Sequence, residues 1–412
     1  MTMSENIRNI GLKMQKEQLT LQETLLEEHS IRVSDEELVD GVDRLIYNHC
    51  LNKTQLRSLL GGAKATFNKK LEQAIEDGVI SEPIYQNRAH LFTNSQVHAL
   101  MNYWGIEKYS ENHDSKVIEV QNHKGGTGKT STAVVLANAT ALDLQLNANV
   151  LLVDLDPQGS AGTGVIRTGE NDVYLTMCDL LLNEYEPDGE VSQFLDAGNS
   201  FEDIVKNTAF STHLDNLSVI TAFPTDDRFT DLYWSLDEGK QTELLTKLKN
   251  TIIPLLKEQY DFIYFDLPPQ DSPITWSATE AADCILVPIT PRYYDYASTT
   301  NFMISLAKRL ESLPSKGNNI EWLKMVAVNY SKNSKPEYKT IQKLLRTVRS
   351  DFFIAQIAHS DAFTATAEIG RTIFDVLKSE EICTSHQLDL AQSSVTAFYE
   401  LFKNEIITIA AK

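Results

Sequence analysis

Val120-Gln121-Asn122-His123-Lys124-Gly125-Gly126-Thr127-Gly128-Lys129-Thr130-Ser131 is a glycine-rich turn set between an apolar run, Lys116 to Val120, and a helix-forming segment, Thr130 to Leu144. Glycine amides in such a turn can converge on phosphate oxygens, and the N-terminus of the following helix favours anions. The pattern implies ATP or GTP, held by the stretch from Lys124 to Ser131. Gly125, Gly126 and Gly128 permit close backbone approach, with Thr127 between them. Lys129 reaches the β- and γ-phosphates, and the Thr130 hydroxyl, just ahead of Ser131, ligands Mg2+.

Two further stretches share one design. Asn149-Val150-Leu151-Leu152-Val153-Asp154-Leu155-Asp156-Pro157-Gln158-Gly159 and Asp261-Phe262-Ile263-Tyr264-Phe265-Asp266-Leu267-Pro268-Pro269 are apolar runs too short for helices. Each ends in acid and then proline, as buried parallel strands that deliver side chains to one sheet edge should. Further strands are expected at Cys284 to Ile289, Met325 to Val328 and Phe353 to Ala358, with helices intervening. The alternation predicts an α/β fold with a doubly wound parallel sheet. Residues 171–239 read as mostly helical cover without an assigned role.

K-G-G-T-G-K-T, V-D-L-D-P-Q-G and F-D-L-P-P together resemble the deviant Walker A ATPases of the ParA/MinD superfamily, and D-x-D-P-Q-G points to the ParA branch. The resemblance runs from about Lys116 to the C-terminus. It implies ATP and Mg2+ as cofactors and Asp266 holding the ion through water. Asp156 would position or activate the attacking water, and Asp154 would be structural or support the metal. Turn chemistry before Pro157 is the plainer reading of both aspartates. In this family the lysine at the position of Lys124 crosses a dimer interface to the partner's phosphates, so that ATP joins two subunits and hydrolysis releases them. The family further implies a homodimer, possibly extended to a filament on DNA, a ParB-like centromere-binding partner, and a cytoplasmic, nucleoid-associated location. Asn329, after Val326-Ala327-Val328, stands where an amide can read adenine or simply cap a turn, and Pro291 ends a strand near the expected base pocket. Tyr293, Tyr294 and Tyr296 read as helix-start packing.

The 412 residues carry 37 basic and 57 acidic side chains, a net charge of −20, which opposes uniform adhesion to nucleic acid. DNA contact must then come from local patches. From Asn52 to Leu71 the basic residues Lys53, Arg57, Lys64, Lys69 and Lys70 precede the first carboxylate, Glu72. Thr54 can cap a helix reaching Leu60, Gly61-Gly62 supplies a turn, and Lys64 to Asp77 makes a second helix with Phe67, Leu71 and Ala74-Ile75 inward. Lys64, Thr66, Asn68 and Lys69 are left outward, with Lys70 beside them, and the residues from Val79 to Phe92 suit a small β-wing. A winged helix-turn-helix over residues 46–109 that reads a specific operator is the expectation, with a protein-docking module as the alternative.

Ile7, Ile10, Met14, Leu19, Leu21 and Leu25 recur at helical spacing, which suits a dimer-forming helix within residues 1–45. The polar run Ser110 to Ser115 marks a boundary to an ATPase domain over residues 116–412. Beyond Asn329, Lys332, Lys335, Lys339, Lys343, Arg346 and Arg349 form a basic stretch which, with Arg371 and Lys378, is the candidate surface for nonspecific DNA.

No run is long and apolar enough for a membrane span, and the C-terminal stretch lacks the basic amphipathic character of a membrane-binding helix, so no membrane partner is expected. The four cysteines lie far apart without a C-x-x-C pair and read as reduced thiols. An ATP-regulated transcriptional repressor without a partition role is the competing function.

Overall fold

The computed structural model describes Arg8, Lys13 and residues 44–86, 88–158 and 175–412. The expected dimerisation helix therefore lies almost wholly outside the described residues, as does Gly159.

In the N-terminal unit the short strand β1 (Leu51–Asn52) leads into a helix at Lys53–Leu60 and a second at Lys64–Glu76, and strands β2 (Ile84–Gln86) and β3 (Ala89–Phe92) follow, the three strands lying in the order β1-β3-β2. The first helix is capped by Asn52 rather than Thr54. The Asn52 side chain accepts the amides of Thr54 and Gln55, and the Gln55 side chain returns a bond to the Asn52 amide. Gly61 and Gly62 both take positive φ in the turn, a conformation that costs other residues strain. Leu56, Phe67, Leu71, Phe92, Val97 and Leu100 form the core of this unit, and Leu144 from the larger domain packs into it.

The larger domain is built on seven strands: β4 (Lys116–Val120), β5 (Val150–Asp154), β6 (Phe210–Ser211), β7 (Leu217–Ile220), β8 (Phe262–Asp266), β9 (Cys284–Ile289) and β10 (Trp322–Ala327). Their order is β10-β9-β4-β8-β5-β7-β6, and every pair is parallel except β6 with β7. Helices cover both faces, and this is why β4, β5, β8 and β9 are buried at every position and are mostly apolar, with Lys116 and Glu119 of β4 and the strand-end acids Asp154 and Asp266 as the charged exceptions. β8 shows the division of labour: Phe262 and Tyr264 face a core shared with the helices Lys129–Leu142 and Ser385–Ala410, while Ile263 and Phe265 face the opposite core.

Two expectations are corrected. Residues 171–239 are not only helical cover, because they supply β6 and β7, the margin of the sheet. Phe353 to Ala358 is not a strand. It runs beside β10 with isolated bridges from Met325 to Phe352 and from Tyr330 to Ala358, each joining two chain segments without a continuous ladder. The run Ser110 to Ser115 is docked on the larger domain: Tyr109 is buried against Phe262, and the Asp114 amide donates to the Ala410 carbonyl. The four cysteines are free thiols, and no described helix is long and apolar enough to cross a membrane.

Candidate nucleotide site

β4 ends at the central switch of the sheet, with β8 on one side and β9 on the other, where a doubly wound sheet opens a crevice at its C-terminal edge. The chain turns there through residues 121–128. The Gln121 amide donates to Leu286, and the buried Asn122 side chain donates to the Pro288 carbonyl and accepts the Lys124 amide, so the loop is tied to β9. Gly126 and Gly128 have φ of 73° and 74°, and a Cβ on Gly128 would stand 3.4 Å from Val328. Glycine is favoured at both positions by conformation, since other residues pay strain at such φ. The helix Lys129–Leu142 begins without a side-chain cap, leaving its first amides directed at the loop.

Lys129 is 7% exposed, and its Nζ donates to the Lys124 carbonyl at 3.4 Å. Burial lowers its pKa, opposed by the nearby charges of Asp266 and Asp156. The loop lysine thus faces both strand-end acids.

Strand register sets Asp266 beside Asp154, two residues ahead of Asp156. Val120, Asp266 and Asp154 stand in successive register across β4, β8 and β5. Asp266 is fully buried, and neither carboxylate oxygen has a well-formed hydrogen bond. Burial pushes its pKa up, with Thr130 and the Leu267 amide opposing. An orphaned carboxylate beside a threonine hydroxyl is a hard oxygen pair of the kind Mg2+ prefers, so these residues fit that ion. Asp154 accepts the Asp156 amide at 3.0 Å, and Asp156 accepts the Gln158 amide at 3.0 Å. Turn chemistry before Pro157 is therefore present at both residues, and Asp156 lies near enough for its charge to act on Lys129.

A cavity of about 330 Å³ adjoins the loop, lined by Gly126, Gly128, Ser131, Asn329, His359 and Asp361 among others. Asn329 holds a left-handed conformation, φ 54°, and its Oδ1 lies 2.6 Å from Nδ1 of His359. Pro291 is buried and does not line this cavity. His359, Ser360 and Asp361 were missed by sequence reasoning, because no motif marks them; they reach the cavity as the continuation of the irregular segment beside β10.

Lys124 is not extended to solvent. Its ammonium is ion-paired with Asp295, on the helix Tyr293–Ser312 that follows β9. Tyr294 is 81% exposed, so it does not serve as helix-start packing, while the Tyr296 ring lies under the Lys343 ammonium at 4.1 Å.

The proposed DNA contacts divide. Lys64, Thr66, Lys69 and Lys70 are exposed on the second N-terminal helix, with Asn68 half-buried. Lys335, Lys339, Lys343 and Arg346 are exposed on the helix Lys335–Val348. Arg371 does not belong with them: it is buried, and its guanidinium is paired with Glu380 at 2.5 Å, where a phosphate cannot reach it. Lys378 is paired with Asp389 at the surface.

Comparison with known proteins bears on this geometry. The family described as an AAA domain matches residues 115–316. The chromosome partitioning protein ParA of Myxococcus xanthus is 32% identical over 185 residues, 43% of this chain and 53% of that protein. The sporulation initiation inhibitor protein Soj of Bacillus subtilis is 30% identical over 184 residues, 43% of this chain and 60% of that protein. The chain thus matches little more than half the length of these relatives. A solved structure titled a partition protein superposes with a TM-score of 0.65 at 17% identity, over 89% of this chain and 94% of the other. That likeness shows a shared fold. With its doubled-lysine loop, its paired strand-end acids and these relatives, the chain belongs to the ParA family of P-loop proteins.

Proposed function

We propose that this chain is an ATP-hydrolysing partition protein that pairs through ATP, holds DNA nonspecifically, and segregates a plasmid or chromosome with a ParB-like partner. One observation carries the reading: a glycine loop, a buried lysine and the acids Asp156 and Asp266 meet at one edge of the sheet. Bound Mg2+ would supply positive charge at the β- and γ-phosphates, and Thr130 and Asp266 are the residues to hold it. Lys129 and the loop amides bind and orient the phosphates. Asp156, on a turn fixed by its own hydrogen bonds, is the group to orient the attacking water and accept its proton. Asn329 and the adjoining cavity suit the adenine base.

Lys124 is the residue assigned to the partner subunit's nucleotide, once released from Asp295. The exposed bases on Lys335–Val348 suit nonspecific DNA, where two weak faces in a dimer act together. The N-terminal unit, with its exposed Lys64, Thr66, Lys69 and Lys70, suits a specific operator and hence control of the protein's own operon. Steady-state ATP hydrolysis, measured alone, with DNA, and with DNA and a ParB-like protein, tests the proposal. Stimulated turnover is expected. Unstimulated turnover with ATP-modulated operator binding would favour a repressor instead.

A further inference from the structure

His49, His213 and Asp375 converge from three distant parts of the chain, away from the nucleotide site. His49 lies between the helix Arg44–Asn48 and β1, His213 between β6 and β7, and Asp375 ahead of the C-terminal helix. Nε2 of His49 and Nε2 of His213 lie 2.9 and 2.7 Å from the same oxygen, Oδ1 of Asp375. The two rings stack with centroids 5.5 Å apart. The three side chains are 8%, 5% and 2% exposed.

The surroundings orient the carboxylate. Oδ2 of Asp375 accepts the Thr372 amide at 2.7 Å and the Thr372 hydroxyl at 2.6 Å, which leaves Oδ1 to the histidines. Glu380, the neighbouring acid, is taken up by Arg371, by Arg44 and by the Asn48 side chain, so Asp375 is the carboxylate left to the imidazoles. Asn48 also donates to the Asp375 carbonyl.

We infer that His49, His213 and Asp375 form a three-ligand site for a zinc-like divalent ion that staples the N-terminal unit to the sheet domain. Two imidazoles and one carboxylate are a common zinc donor set, and imidazole nitrogen selects zinc over magnesium. The three ligand atoms lie within 4.8 Å of one another. Zinc bonds of about 2.0–2.2 Å set ligand atoms roughly 3.3 Å apart, so the cluster need open only slightly to admit the ion. A proton now on each Nε2, which the bonds to Oδ1 require, moves to Nδ1 or is released when the ion binds. Thr372 plays the outer-shell part that orients a ligating carboxylate. Water is the natural fourth ligand.

The test is calorimetric titration of Zn2+ into the intact, nucleotide-free chain with excess Mg2+ present. One site is expected, accompanied by a rise in Tm. His213→Gln should remove both the site and the rise. Thr372→Val keeps all three ligands and should weaken zinc by roughly 10- to 100-fold, a loss that a purely structural hydrogen-bond cluster would not show. Co2+ added to the unmodified protein gives a readout independent of variant folding, and low-coordinate visible bands without a thiolate charge-transfer band are expected. Absence of those bands, a thiolate band that places the ion on a cysteine, or equal zinc binding by wild type and His213→Gln would each overturn the site.

Discussion

Lys124, the lysine ahead of the loop glycines, is held in its own subunit by Asp295, a buried residue whose carboxylate also accepts the Thr290 hydroxyl. The side chain proposed to reach a partner's nucleotide is therefore engaged in cis, and the proposed ATP-driven pairing would have to exchange one anionic partner for another. Asp295→Asn should lower the protein concentration needed for ATP-dependent self-association. Lys124→Gln should still bind ATP, through Lys129 and the loop amides, but should not pair. Sedimentation velocity with and without ATP checks both, and wild-type pairing by Lys124→Gln would remove the cross-subunit assignment.

Lys129 and Asp156 face each other across the loop, yet their losses should be felt at different stages. Lys129→Gln should abolish ATP binding in calorimetry. Asp156→Ala should bind ATP with near wild-type affinity and lose turnover by at least about 100-fold, because orienting water acts in the transition state. Wild-type turnover in that variant would return Asp156 to turn chemistry alone.

Glu119 lies fully buried in β4, where burial pushes its pKa up to about 8 against the opposing hydrogen bond from Thr279. Between the ordinary glutamate value of about 4.3 and this raised value the folded chain holds a proton that the unfolded chain has released. Stability should therefore fall as pH rises from about 5 to 8. Glu119→Gln keeps a neutral side chain at this position and should flatten that decline. Urea denaturation at several pH values measures it, and parallel slopes for the two proteins would count against a protonated Glu119.

The exposed bases of the N-terminal unit give a separable prediction. Lys64→Ala with Lys69→Ala should weaken operator binding and reduce the salt slope by roughly one unit per lost phosphate contact, with ATP affinity unchanged. Footprinting at several salt concentrations decides it. Full, salt-sensitive protection by the double variant would make this helix a protein-docking element.

Phe402, on the inner face of the C-terminal helix, is completely buried and packs among Tyr264, Trp322 and Phe398. Phe402→Ala should cost about 3–5 kcal/mol of stability through lost burial and the cavity left behind. Chemical denaturation with an unchanged midpoint would show that the helix contributes little to the fold.

What the sequence made legible follows from how locally each feature is encoded. β5, β8 and β9 stand out because strands buried on both faces are near-continuous apolar runs, and β4, which carries Lys116 and Glu119, is marked by the loop after it, where phosphate binding demands glycines at fixed spacing. β7 is a short strand inside a long polar region, and β6 has two residues, so neither leaves a periodicity to find. Phe353 to Ala358 has strand composition, yet it meets β10 only through isolated bridges; tertiary context overrode propensity. His359 and the Lys124–Asp295 pair are contacts between distant segments, which no local pattern announces. Arg371 looked like a surface base because charge predicts exposure on average, and only the fold supplies the half-buried Glu380 that pairs with it.

The two margins of the sheet constrain how copies can join. One ends in β6, two antiparallel residues, and the other is flanked by the irregular run that bridges to β10. Neither offers the long row of free amides and carbonyls that lets a strand from another molecule add on. If copies assemble as proposed, growth beyond a pair would proceed through side-chain surfaces, where contacts break and reform readily as charge and nucleotide change, and not through backbone ladders of amyloid-like permanence.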